Sequence, residues 1–437
     1  MDSELWRKET NNESGERELQ NVLPLVRFMN YNNVDCNVYQ KGGEMMGKKN
    51  YAFINSNMLI WARSQTPFTS VEHVEIYKKG IKAEKLKLWE EGKELPSITE
   101  AKALASLYKV PFACFFLSAP PAKEPKRYVD RRTFEGTVYQ ETSYELWAEI
   151  DRVIENRRVM MDYLEEDNTY PPIPVFSADT TIDEIANTIR QFLQIAPPYR
   201  TKSIYNGNGF NYFRDAFERH GIIVSQITGV SLEEMKGLSI YYDLFPIIAV
   251  NNKDYERAKA FSLFHELAHL IRRSSSLCLI DFNERNDEEE KTCDRLAAEI
   301  LMPKNAFKTI ARSTFESFAD WSTPCLQTIG DKFAVSTVTV VRRLHELGII
   351  SRIEYSSIYD RLAREFEKDR IAIEMNRANQ ELKIQFFIRY INKEGRLFPK
   401  TIISAYYKGN ISYGEMCQKL NVNSKHIANM EQAVMFR

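Results

Sequence analysis

Apolar positions recur along most of this chain at the three-and-four spacing of helices buried on one face, and between residues 221 and 251 the pattern changes to that of strands. From Asn57 to Leu117 the groups Met58-Leu59…Ala62, Val71…Val74, Leu86…Trp89 and Ala101…Leu104-Ala105…Tyr108 predict short helices separated by tight turns. Glu91-Gly92-Lys93 marks one turn, and Pro96-Ser97 precedes a helix that begins near Ile98. Residues 119–132 read as a proline-rich basic linker, and 141–166 as a charged amphipathic helix stopped by Asn168–Pro174. Helices near 182–194 and 209–220 lead to β-branched runs at 221–227 and 238–251, the second read as two strands joined at Asp243–Pro246. Beyond them come a long helix through 255–272, an acidic loop and a helix through 288–301. Residues 305–437 read as wholly helical, without a repeat of fixed period.

Composition narrows the class. The 437 residues predict roughly two to four domains, and 43% hydrophobic with 27% charged residues is ordinary for a soluble globular protein. The 59 Lys+Arg against 60 Asp+Glu exclude a polycation, although a local basic face can still contact nucleic acid. No apolar run approaches the roughly 20 residues of a membrane-spanning helix. The first twenty residues are polar and acidic where a secretory signal would be basic and then apolar. Cys36, Cys114, Cys278, Cys293, Cys325 and Cys417 form no CxxC pair, so a reduced, cytoplasmic protein is expected. Residues 1–45 lack helical periodicity. Lys41-Gly42-Gly43-Glu44 can be encoded by a purine-rich run resembling a bacterial ribosome-binding site, just before Met45 and Met46. That stretch is therefore read as a disordered tail or a non-native upstream extension; mass spectrometry of the natively expressed protein distinguishes the two.

The chemistry lies in the helix through 255–272, which carries His265-Glu266-Leu267-Ala268-His269. Positions i and i+4 share a helical face, so both imidazoles can bind one cation while Glu266 reaches a water. A coincidental histidine pair is the plain alternative. Against it, Phe261, Leu263, Phe264, Leu267, Leu270 and Ile271 make the helix apolar on nearly every side, and buried imidazoles and a carboxylate without a partner are costly. A catalytic zinc site takes three protein ligands and keeps one position open. Downstream, Glu290 and Asp294 stand four apart on one helical face, which suits a third ligand at Glu290 and a hydrogen-bond acceptor for a ligating histidine at Asp294. Glu288, Glu289 and Glu299 are rival ligands. Tyr241 and Tyr242 are candidate oxyanion donors, better explained by packing, and the edge of the 238–251 hairpin is a candidate strand for an extended peptide. His73, His220, His345 and His426 read as surface or packing residues, and Cys293 as an alanine-like buried one.

Together these residues resemble the ImmA/IrrE family of bacterial metallopeptidases in its long form, in which an XRE-type helix-turn-helix precedes the peptidase. Residues 82–121 resemble the recognition-helix-to-linker portion, AFSLFHELAHLI (260–271) and CDRLAAEILMP (293–303) the two zinc-site blocks, 333–351 the helical segment after the peptidase, and 411–431 the C-terminal end. The resemblance implies a mainly α protein with a small α+β zincin-like (thermolysin-like, minimal) core and helical helix-turn-helix-type flanking modules. It divides the chain into 1–45, a helix-turn-helix domain at 46–120, a linker and amphipathic helix at 121–175, the peptidase core at 176–304, a helical part at 305–352 and a C-terminal helical region at 353–437. It implies Zn2+ held by His265, His269 and Glu290, with Glu266 as the catalytic acid/base. The implied partner is a repressor or antitoxin-like DNA-binding protein whose cleavage relieves transcriptional repression in a phage, mobile-element or stress response. No membrane partner is implied, and self-association stays open. Asp294 stands where the family often has Asn, and Ala268 where Gly is more frequent. The candidate recognition segment, 71–92, mixes lysines with glutamates and has no Arg, Asn or Gln to read base edges, so DNA binding there competes with a protein-binding role. The alternative for the whole chain is a DNA- or protein-binding regulator whose zinc serves structure or sensing.

Overall fold

The computed structural model describes residues 50–121, 143–163, 170–199, 209–273, 276–278, 287–381 and 385–435, with backbone alone at 276–278, 287 and 367–381. The tail at 1–45, the body of the basic linker and most of the acidic loop lie outside these residues. In the N-terminal module, helices begin where a small polar side chain takes up a backbone N–H that a first turn leaves unpaired. Asn55, Ser70 and Ser97 cap α1 (Ser56–Ser64), α2 (Val71–Tyr77) and α4 (Ile98–Leu107), with α3 (Ala83–Glu90) between them. Leu59, Val74, Leu86, Trp89 and Leu104 meet in one apolar cluster, which a 3-10 turn at Phe112–Phe116 completes with Phe115. The amphipathic helix expected over 141–166 is α5 (Tyr144–Met161), capped by Ser143.

After α6 (Ile182–Phe192) and α7 (Gly209–Arg219) come β1 (Ile223–Ile227), β2 (Gly237–Ile240), β3 (Ile247–Asn251), α8 (Glu256–Ile271) and β4 (Ser276–Cys278). The sheet order is β1-β3-β2-β4, with β1 parallel to β3 and β2 antiparallel to both its neighbours. The strands at 221–227 and within 238–251 lie where the β-branched runs put them. The three-residue β4 falls where the sequence predicts a loop, because so short a segment carries no periodicity of its own. Both faces of the sheet are covered, which explains near-continuous apolar runs in place of a clean alternation. Val224, Ile248 and Val250 face one cluster with α7 and α8. Ile223, Leu238, Ile240, Ile247 and Ala249 face another with α5 and the C-terminal helices.

The rest is helical among the described residues: α9 (Asp287–Leu301), α10 (Lys304–Phe318), α11 (Thr323–Phe333), α12 (Thr337–Glu346), α13 (Arg352–Glu381), α14 (Phe386–Glu394), α15 (Leu397–Tyr407), α16 (Tyr413–Leu420) and α17 (Ile427–Met435). A mostly helical chain around a small mixed sheet is compatible with a small α+β metallopeptidase domain. No described helix is long and apolar enough to cross a membrane.

Candidate metal centre

Helix α8 is held in the middle of its cluster. Leu263, Phe264, Leu267 and Ala268 are buried, and the Phe264 ring meets Phe213 and Phe217 edge-on at 4.9 and 5.2 Å. That packing fixes the helix and with it the polar residues that share its length, Glu266 and His269, themselves only 1% and 3% exposed. Helix α9 packs alongside through Cys293, Ala297 and Ile300, and its i, i+4 face turns Glu290 and Asp294 towards α8.

Three donors converge. His265 Nε2 lies 3.1 Å from Glu290 Oε2 and 3.3 Å from His269 Nε2, and His269 Nε2 lies 3.7 Å from Glu290 Oε1. The ligand atoms of these residues all fall within 4.8 Å of one another. Hydrogen bonds from His265 and then His269 hold the Glu290 carboxyl well below the usual carboxylate range. On its other ring nitrogen, His265 Nδ1 lies 3.0 Å from Asp294 Oδ1. A carboxylate only accepts, so Nδ1 donates to Asp294, which would leave Nε2 to turn its lone pair to a bound cation in place of its hydrogen bond to Glu290. Two imidazoles and a carboxylate, with one imidazole oriented from behind, are a donor set that fits a divalent transition metal.

Residues 217–345 match the IrrE N-terminal-like domain, a peptidase family. The matched stretch runs from the end of α7 into α12 and takes in the sheet, α8, α9 and all five residues of the centre. It does not reach residues 46–120, expected to form a helix-turn-helix domain. Searches of curated proteins and of solved structures give no match.

Within this peptidase-like stretch the three rival carboxylates are engaged elsewhere. Glu288 pairs with Lys291 at 3.6 Å, Glu289 with Arg272 at 3.3 Å, and buried Glu299 with Arg343. Tyr241 Oη donates to Asp243 Oδ1 at 2.8 Å, and the Tyr242 ring lies under the Arg157 guanidinium at 3.6 Å. Both tyrosines line a cleft beside the C-terminal end of α8, with Ile271 and Arg273. The hairpin edge expected to be exposed is covered on both sides, β3 by β1 and β2 by β4; the sequence could not show this because both covering strands come from elsewhere in the chain. His220 sits 2.8 Å from the Ala216 carbonyl, His345 packs on Tyr355, His426 stacks on Phe386, and His73 lies 3.1 Å from Thr69 at the surface. On α3 Lys85 and Lys87 are exposed, as are Lys78 and Lys79 in the turn before it, where Lys82 pairs with Glu75 at 2.7 Å.

Two further residues neighbour the centre: Gly237, which the sequence analysis does not single out, and Cys293, expected to be buried and found so. Gly237 opens β2 on the face turned to α8, and a Cβ there would come 2.6 Å from Glu266 Oε1. The strand therefore carries glycine where the carboxylate needs room, and a glycine at the head of the 238–251 run is the signal that could have found it. Cys293 Sγ lies 3.8 Å from His269 Nδ1, so consecutive residues of α9 back the two histidines.

Proposed function

We propose that this chain is a zinc-dependent endopeptidase that hydrolyses a peptide bond in a specific protein partner. The observation that carries the reading is the convergence of His265, His269 and Glu290 beside the buried carboxylate of Glu266. A zinc ion held by those three side chains supplies a Lewis acid that polarises a carbonyl and acidifies water. Glu266 takes the proton from the attacking water on a carboxylate oxygen and later delivers it to the leaving amine. Gly237 gives that carboxylate its space, and Asp294 keeps the proton of His265 on Nδ1. A metal site of purely structural use needs no buried base beside it and usually closes its fourth position, which argues against the binding-module alternative. The resemblance to the long form of the ImmA/IrrE family supports a repressor or antitoxin-like DNA-binding protein as the partner, with the helices of residues 50–117 as a module for docking on DNA or on that protein.

Metal content decides the first half. Protein purified without added zinc is expected to carry near-stoichiometric zinc, lost in His265→Ala and in Glu290→Ala. Glu266→Gln is expected to keep the metal and to hold its partner uncut, so that the partner can be identified and then cleaved by wild type. Zinc retained by Glu290→Ala would move the third ligand elsewhere. No zinc in wild type, with none gained on titration, would leave the peptidase reading without its chemistry.

A further inference from the structure

The two oxygens of Asp294 go to different elements. Oδ1 lies 3.0 Å from His265 Nδ1, whereas Oδ2 lies 3.5 Å from Arg342 Nη2 on α12. That helix is firmly placed. Ser336 caps it by accepting from the Thr339 N–H, and the buried Arg343 pairs with Glu299 while donating through Nε to the Met302 carbonyl at 3.2 Å. The neighbouring Arg342 is thereby presented to the outer side of Asp294, with Glu346 3.8 Å from its Nε.

We propose that Arg342 is a positioning residue for the metal centre, acting on His265 through Asp294. A carboxylate turns readily about its Cβ–Cγ bond, and the Asp294 side chain is one-third exposed. With one partner only, it divides its time between the imidazole and water. A guanidinium on the second oxygen fixes the plane of the carboxylate, and so the ring of His265 and the direction of its Nε2 lone pair. An ion pair this open to solvent adds little to folding stability. Its effect belongs in metal retention, not in the melting temperature. The inference rests on the metal reading above.

Zinc affinity, measured on the full chain by competition with a chromophoric chelator, tests it. Arg342→Ala is expected to weaken zinc binding on the order of 3–10-fold and Arg342→Lys to recover part of that, with the melting temperatures of the metal-free proteins unchanged. Asp294→Ala is expected to lose roughly 10–100-fold. In the Asp294→Ala background, Arg342→Ala should cost nothing more, because its route to the histidine is gone. Glu346→Gln, which neutralises a carboxylate that faces Arg342 and Arg343 and leaves Asp294 intact, should bind zinc as wild type does. Wild-type affinity in Arg342→Ala, or an equal loss with and without Asp294, overturns the proposal. A wild-type protein that binds no zinc overturns the metal reading and this proposal with it.

Discussion

Gly237 offers the sharpest single-residue test of the centre. Alanine there drives a Cβ to 2.6 Å from Glu266 Oε1 and 3.1 Å from its Cγ, and the buried carboxylate has to give way. Gly237→Ala is expected to keep its zinc while losing turnover on the order of 10–100-fold, the usual consequence of misplacing a reacting group by about an ångström. Zinc content beside cleavage of the partner trapped by Glu266→Gln measures both. Undiminished turnover would mean that Glu266 is not the group whose position matters. Nothing periodic points to Gly237 or to Arg342, since each meets the centre from a distance in sequence. The convergent side chains are legible because helical spacing is a local property. His265 and His269 share a face at any HExxH, and Glu290 with Asp294 at any ExxxD, so their convergence needs only that α8 and α9 pack together.

At the scale of elements, helix boundaries follow from the sequence to within a few residues, whereas the pairing of elements is hidden in it. The join between α7 and the corner from α14 to α15 is one such pairing. Glu218 near the end of α7 is buried and accepts from the backbone N–H of Arg396, the cap of α15, at 3.1 and 3.0 Å, while Arg214 Nη1 donates to the Asn392 carbonyl at 2.8 Å. Gly395, with φ +76°, leaves the space the carboxylate occupies. Burial pushes the Glu218 carboxyl up to about 7, against the opposing pull of Arg214. A raised folded value means that the folded state holds a proton which the unfolded chain has released above its ordinary 4.5. The stabilisation is therefore complete below pH 4.5 and is lost as the pH rises to about 7, at most about 3 kcal/mol over that window. Glu218→Gln should remove this contribution. Urea midpoints at pH 4.5 and 7.5 are expected to fall further in wild type than in the variant, and equal falls would show that Glu218 stays ionised.

For the molecule as a whole, the sheet is the common wall of two apolar clusters, and no local pattern tells which segments share it. Its second face is filled by segments far apart in the chain, Leu146 and Val153 of α5 and Leu397, Phe398, Ile402, Ile403, Met416 and Leu420 of the C-terminal helices. At about 1.5–3 kcal/mol for each large apolar side chain buried, the last six rival the roughly 5–15 kcal/mol by which a whole domain is stable. The cluster around Trp89 and Leu104 is different. It is joined to α5 largely through Tyr144, which stacks on Phe68 at 5.1 Å and donates to the Leu107 carbonyl at 3.0 Å. Two truncations should consequently behave in opposite ways. A chain beginning at Ser143 is expected to stay soluble and to bind zinc as the full chain does, while one ending at residue 385 is expected to aggregate, although it keeps His265, Glu266, His269, Glu290 and Asp294. Gel filtration and zinc stoichiometry of the two fragments provide the comparison. A soluble, zinc-loaded fragment ending at residue 385 would show that the sheet needs only one of its two faces covered. The C-terminal helices would then have to be explained by what they bind, since the core would stand without them.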